Sequence, residues 1–274
     1  MPIKITNILK NYELLTSNND NYYENELFTK FEDAFIYAAG KGIDDIKIIH
    51  GSRSMIRFPA VPGKECELAD LWCIFYSIKL NKYRLLFLQF KREKYVSPKP
   101  FVVKIDEKQY ELYNTHPDVF PKSRKVTIPN DILKDKIHGC NDAGTMFALI
   151  KADGHGGYPI LFANAKKLHL RGKNKYECMG GTSVMKKKVP GFTYCEYAPD
   201  LEEFLKEAKG MNVDREIDIT TLALLLGKSV MTAPAGLKAV IASAGIPGIT
   251  MDEEGYPKHF AAVNTMFINV DELE

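Results

Sequence analysis

A carboxylate, an amide and an ammonium group are set at the ends of two short apolar runs. Residues 71–80 (LWCIFYSIKL) and 83–90 (YRLLFLQF) are rich in aromatic and β-branched side chains on both faces, and they are separated by Asn81 and Lys82. They read as a hairpin buried in a sheet. Asp70 opens the first strand; Gln89 and Lys91 close the second. With Asn81-Lys82 as a two-residue turn, Trp72 lies opposite Lys91 and Ile74 opposite Gln89. Side chains alternate with period two, so Asp70, Gln89 and Lys91 share one face at the open end of the hairpin. An acceptor, an amide and a cation then converge where the apolar strands stop, a set able to accept, donate and neutralise charge. A one-residue bulge would separate them. Without further context, a strand-end Asp and Lys more often form a solvated salt bridge, and a Gln there is polar trim.

Basic side chains offer a second kind of chemistry. Lys79, Lys82, Arg84, Lys91, Arg92 and Lys94 surround the hairpin against a single acid, Glu93. Lys166, Lys167, Arg171, Lys173, Lys175, Lys186, Lys187 and Lys188 form a later cluster able to grip a phosphate backbone, its alternative being an ordinary solvated loop. Gly180-Gly181-Thr182-Ser183, ahead of the triple lysine, offers backbone N–H groups to a phosphate, although glycine pairs more often mark turns. Other candidates fail. Gly227-Lys228-Ser229 ends like a P-loop, but Leu222 occupies the upstream glycine position. His155, His138 and Cys140 lack the paired spacing of a zinc site.

The elements that must position these groups are legible in part. Asn21-x-x-Glu24 reads as a capping box opening a helix with Leu27, Phe28, Phe31, Phe35 and Ala38 on its apolar face, ending near Gly40 or Gly42. Residues 46–49 suit a short strand, and 51–63, with Pro59 and Pro62, a loop. Residues 101–199 alternate short apolar runs, such as 147–150 and 159–162, with Gly, Pro and Lys, which predicts further strands joined by long loops. Asp200-x-x-Glu203 caps a helix carrying Leu201, Phe204, Leu205 and Ala208 on one face. A further helical stretch is expected over 220–226, and a short helix and loop within 233–250. The expected organisation is a core over 1–100, the remainder of the same α/β domain with basic loops over 101–199, and a helical extension over 200–274.

Composition bounds the reading. A 274-residue chain with 45% hydrophobic and 26% charged residues is a globular protein with a sizeable core. The 37 basic residues are nearly balanced by 35 acidic ones, so any polyanion site must be local. Five cysteines without a C-x-x-C pair suggest neither a disulfide framework nor a zinc ribbon, which fits a reducing cytoplasm. No signal peptide is read at the N-terminus, and the most apolar run, 222–226, is far too short to cross a bilayer.

The hairpin residues resemble the PD-(D/E)xK nuclease superfamily. The strings are Glu67-Leu68-Ala69-Asp70 and Leu88-Gln89-Phe90-Lys91, and the Q-x-K form is similar to that of Mrr-type restriction endonucleases. The preceding helix, with Phe31-Glu32 and a following Gly40, looks like the superfamily's first helix. The resemblance covers about residues 20–95, with Ala69 where proline is usual.

That resemblance implies a mixed α/β, restriction-endonuclease-like core: a central mixed sheet flanked by helices. It implies a magnesium-dependent endonuclease, with manganese able to substitute, and DNA as substrate before RNA. Asp70 would be the principal metal ligand, Gln89 would add its amide oxygen and Phe90 its backbone carbonyl. Lys91 would orient the attacking water and stabilise transition-state charge. Glu32 would complete the shell; Glu24 lies nearer the centre of the apolar face but is taken by the capping box. Glu67 reads as exposed strand-entry charge. Arg92, Lys94, Lys186, Lys187 and Lys188 would hold nucleic acid. A restriction or phage-defence role, a homodimer and a protein partner are further expectations, with no membrane. Two alternatives remain: a catalytically weak nuclease-fold module serving as a nucleic-acid-binding or assembly subunit, and an enzyme of unrelated chemistry with its site in 101–199.

Overall fold

The computed structural model describes residues 2–17, 21–40, 46–51, 55–57, 65–80, 82–93, 101–115, 119–121, 144–153, 157–165, 168–172, 175–178, 198–210, 233–243 and 264–274. In chain order the elements are α1 (Ile5–Thr16), α2 (Glu24–Ala39), β1 (Ile46–Ile49), β2 (Met55–Arg57), β3 (Glu65–Glu67), β4 (Leu71–Ser77) and β5 (Lys82–Arg92). Then come β6 (Phe101–Lys104), α3 (Glu107–Thr115), β7 (Phe120–Pro121), β8 (Thr145–Ile150), β9 (Ile160–Ala163), β10 (His169–Gly172) and β11 (Lys175–Cys178). The described chain closes with α4 (Leu201–Gly210), α5 (Ala235–Ser243) and β12 (Thr265–Asn269). The protein is mixed α/β, built on a six-stranded mixed sheet of order β1-β12-β4-β5-β8-β9 with helices on both faces.

The apolar runs explain the sheet's centre. Every residue of β4 and β8 is buried, so these strands carry apolar side chains on both faces rather than alternating. One face packs against α1, α2 and α4 through Leu71, Cys73, Phe75, Leu88 and Phe90. The other face, with Trp72, Ile74 and Phe87, is covered by α3, α5 and the two small sheets β10-β11-β6 and β3-β2-β7. Strands β4 and β5 are antiparallel, β5 and β8 parallel, and α3 lies in the crossover between the latter two.

Several expectations need correction. The hairpin register pairs Leu71 with Leu88 and Ser77 with Lys82, so residues 78–81 lie between the paired strands instead of a two-residue turn. Trp72 faces Phe87 rather than Lys91. The slip is four residues, an even number, so the expected face of each side chain survives. The capping box of α2 sits two residues later than Asn21-x-x-Glu24: the Tyr23 N–H donates to the Glu26 carboxylate (2.6 Å). Its C-terminus at Gly40 is as expected, with φ +73 and the N–H donated to the Ile36 carbonyl. Within 51–63, read as a loop, Met55–Arg57 is a strand, and within 101–199 Glu107–Thr115 is a helix. The part after residue 200 is not helical throughout, because β12 is inserted in the sheet between β1 and β4. The expected helix over 220–226 lies outside the described residues.

Candidate functional site

Asp70 stands one residue before β4, where β5 runs on past the start of its partner. Its N–H donates to the Leu88 carbonyl (2.9 Å). Its Oδ2 accepts two hydrogen bonds, one from Gln89 Nε2 and one from the Phe90 N–H (2.7 Å). Asn264, just before β12, fixes the Asp70 backbone: its Nδ2 donates to the Asp70 carbonyl (3.1 Å) and its Oδ1 accepts from the Gly51 N–H (2.8 Å). Three strand ends are thereby held together at one end of the sheet. Gln89 is only 2% exposed, and its Oε1 accepts from Gln109 Nε2 on α3 (2.9 Å). The amide is therefore satisfied on both sides, as a buried polar group must be.

Lys91 follows on the same face, two residues along β5. Its Nζ lies 4.0 Å from Glu24 Oε1, and the other oxygen of Glu24 accepts the Arg92 N–H (2.9 Å). Glu24 therefore anchors the strand end with one oxygen and faces the ammonium with the other. Farther along, Glu93 and Lys151 form an ion pair (3.5 Å) with both side chains nearly fully buried. Such a pair adds little net stability but is costly to break on one side.

Glu32 goes elsewhere. Its side chain is 2% exposed on the opposite face of the sheet, with His50 Nδ1 3.8 Å from Oε2. Neither carboxylate oxygen has a hydrogen-bond partner among the described residues. Burial, with a smaller contribution from the Asp33 charge, pushes its carboxyl up to about 7. Burial holds the Cys73 thiol well above its ordinary range, and the Glu32 charge adds to this. The structure does not join Glu32 to Asp70; the helix carboxylate beside Lys91 is Glu24, in the first turn of α2, whereas Glu32 lies near its middle.

The basic hairpin cluster also divides. Arg84 is buried at 4% exposure, and Lys79 and Arg84 belong to the turn end of the hairpin. Seven residues of strand separate Arg84 from Lys91, roughly 23 Å at the usual rise. Arg92 lies over the Tyr158 ring, 5.9 Å from its centroid. Lys94, Lys186, Lys187 and Lys188 lie outside the described residues, as do Gly180 to Ser183, Gly227 to Ser229, His138, Cys140 and His155.

No family model, curated protein or solved structure matches the chain. What the arrangement can do follows from its own residues. Among the described residues, no three His, Cys, Asp or Glu side chains gather as a metal site. The oxygen donors at hand are the Asp70 carboxylate and backbone carbonyls, with the Gln89 amide oxygen turned towards Gln109. These are hard donors of the kind magnesium accepts. Phe90 fits that set: its N–H reaches Asp70, and the N–H and C=O of one strand residue point to the same side.

Two contributors were not read from sequence. Gln109 and Tyr113 lie one helical turn apart on α3 and face the site together. The Tyr113 hydroxyl donates to the Leu68 carbonyl (2.7 Å), and its ring packs on Phe147 at 4.7 Å. Burial raises this phenol well above its ordinary range, with the Asp70 charge the next cause. The available signal was Asp106, whose carboxylate accepts the Lys108 N–H (2.9 Å) as a helix cap, followed by Gln109, Leu112 and Tyr113 at helical spacing.

Proposed function

We propose that this protein is a metal-dependent nuclease with a restriction-endonuclease-like core, hydrolysing phosphodiester bonds in DNA in preference to RNA. The observation that carries the reading is the joining of Asp70 to Gln89 at the sheet end, with Lys91 on the same face two residues on. A strand hairpin, a crossover helix and a parallel strand hold these three groups on rigid elements. Asp70, Gln89 Oε1 and the Phe90 carbonyl would hold magnesium, which when bound polarises the scissile phosphate and makes a bound water acidic. Lys91, 14% exposed, retains enough access to meet the phosphate, and its charge offsets the negative charge gathering in the transition state. Glu24, 4.0 Å away, is the carboxylate facing that ammonium. Arg92, the next residue along β5, alternates to the other face and lies over Tyr158, so it would meet a phosphate backbone only on that side.

A second reading has its own support. Gln89 is neutral, its NH2 group faces Asp70, and the described residues hold no acidic cluster. A nuclease-fold module that binds nucleic acid without cutting it would have these features.

The test is incubation of the purified protein with supercoiled plasmid, linear duplex, single-stranded DNA and RNA, in magnesium, manganese or chelator, beside Asp70→Ala and Lys91→Ala. Metal-dependent cutting lost in both variants is the expected result. Cutting by either variant at the wild-type rate would overturn the assignment. Salt-sensitive DNA binding without cutting would favour the second reading.

A further inference from the structure

The chain contains two glutamines, Gln89 and Gln109, and they are hydrogen-bonded to each other. We propose that Gln109 is a positioning residue that sets which end of the Gln89 amide faces Asp70, and that the two amides invert together when a divalent cation binds. This rests on the metal-site reading above.

The argument begins with the direction of the bonds. Gln89 presents Nε2 to Asp70 and Oε1 to Gln109, whose Nε2 donates. This polarity suits Asp70 as a bare carboxylate, since the amide N–H supplies a donor to Oδ2. It is the wrong polarity for a cation, because two N–H bonds then point where a positive charge would sit. To contribute oxygen, the Gln89 amide must turn by a half rotation, which carries its NH2 group towards Gln109. At 2% exposure Gln89 has little water to receive that donor, and a buried donor without an acceptor is costly. Gln109 removes the conflict because a primary amide both donates and accepts. By turning in the same sense it offers Oε1 to the inverted Gln89. Hydroxyl side chains share this capacity, but Gln109 is the group within hydrogen-bond reach of the Gln89 amide.

The backbone carrying Gln109 is fixed, so the change is confined to two side-chain torsions. Asp106 caps the start of α3, and Tyr113, one turn beyond Gln109, ties the helix to the Leu68 carbonyl just ahead of Asp70. The helix and the carboxylate are thus braced against each other while the amides between them turn.

Manganese binding, read by the loss of its free-ion resonance signal, tests the proposal on Gln109→Met, Gln89→Glu and the double variant. In Gln89→Glu both side-chain ends are oxygen, so no orientation is needed. Gln109→Met is expected to weaken binding about fivefold to tenfold in the Gln89 protein, and by less than about twofold in the Gln89→Glu protein. Equal loss in both backgrounds, or none in either, overturns the positioning role. The wild-type protein supplies an independent measurement, since glutamine-selective 15N labelling yields only two side-chain amide pairs. Magnesium should shift both pairs; a shift at Gln89 with Gln109 unmoved overturns the joint inversion. Manganese binding that is absent, or unaltered in Asp70→Ala, overturns the metal-site reading itself, an outcome distinct from the others.

Discussion

Asp70 and Glu32 are carboxylates near the same end of the sheet, on opposite faces, and the molecule treats them in opposite ways. Asp70 is surrounded by donors: an amide, a backbone N–H and, through its own backbone, Asn264. Glu32 is buried with no hydrogen bond to either oxygen among the described residues. A carboxylate met by N–H groups is stabilised as an anion; one met by apolar side chains is stabilised as an acid. The first can offer charge to a cation or a substrate at neutral pH, while the second is near its midpoint there. A carboxylate's place in a sequence pattern is therefore a poor guide to role, and the environment of each oxygen is the better one.

The sharpest way to break this comparison is kinetic. Under the proposed function, Asp70→Ala should reduce metal-dependent cleavage about a thousandfold or more, whereas Glu32→Gln should stay within about tenfold. Single-turnover cleavage measures both, and an equal loss would return Glu32 to the site. The next effect is on stability. The folded protein holds the Glu32 proton up to about 7, above the usual 4.5, so stability present at low pH is lost as pH rises through that interval. Glu32→Gln should remove this slope and stabilise the protein on the order of 2 kcal/mol above pH 7, with no gain near pH 4.5. Urea melts across that range give the answer, and parallel melts of the two proteins would refute it.

Smaller effects probe the other member of the pair. Tyr113→Phe leaves the buried Leu68 carbonyl without its donor and should cost roughly 1 to 2 kcal/mol in a denaturant melt. Asn264→Ala, at a half-buried position, should cost about 1 kcal/mol and loosen Gly51 and Asp70 together. Hydrogen exchange at the Gly51 amide reads that loosening directly, and an unchanged rate would show that Asn264 does not brace this edge.

The β4–β5 hairpin was legible because its apolar runs could be nothing but buried, and period two kept Asp70, Gln89 and Lys91 on one face because the register slipped by an even number of residues. The register was not legible, since the turn is set by a distant residue. Asp271 accepts from the Ser77 hydroxyl (2.6 Å) and from the Lys79 N–H (3.0 Å), and Ser77 in turn accepts from the Leu80 N–H. Local turn propensity carries no trace of a partner so far along the chain. The first helix, α1, went unread although Ile5, Ile8 and Tyr12 are spaced for one buried face, because neither a capping box nor a glycine marks its ends. The choice between Glu24 and Glu32 failed for a related reason. Both lie on one helix, and only the tertiary packing shows which turn of it approaches Lys91.

The insertion of β12 beside β4 has a consequence for how the protein comes into being. The bond from Asn264 to Asp70 joins residues 194 apart, and the whole β12–β4 ladder is parallel. Such pairing closes a very long loop and is slow to form. During synthesis the hairpin and its crossover strand emerge first and wait with an unpaired strand edge, an exposed template for association with other chains. Bracing of the Asp70 backbone by Asn264 is thus a late event in folding, whereas the contacts of the Asp70 carboxylate with Gln89 and Phe90 lie within the hairpin itself. A chaperone or a rapid collapse of α2 onto the sheet would be most useful in that interval.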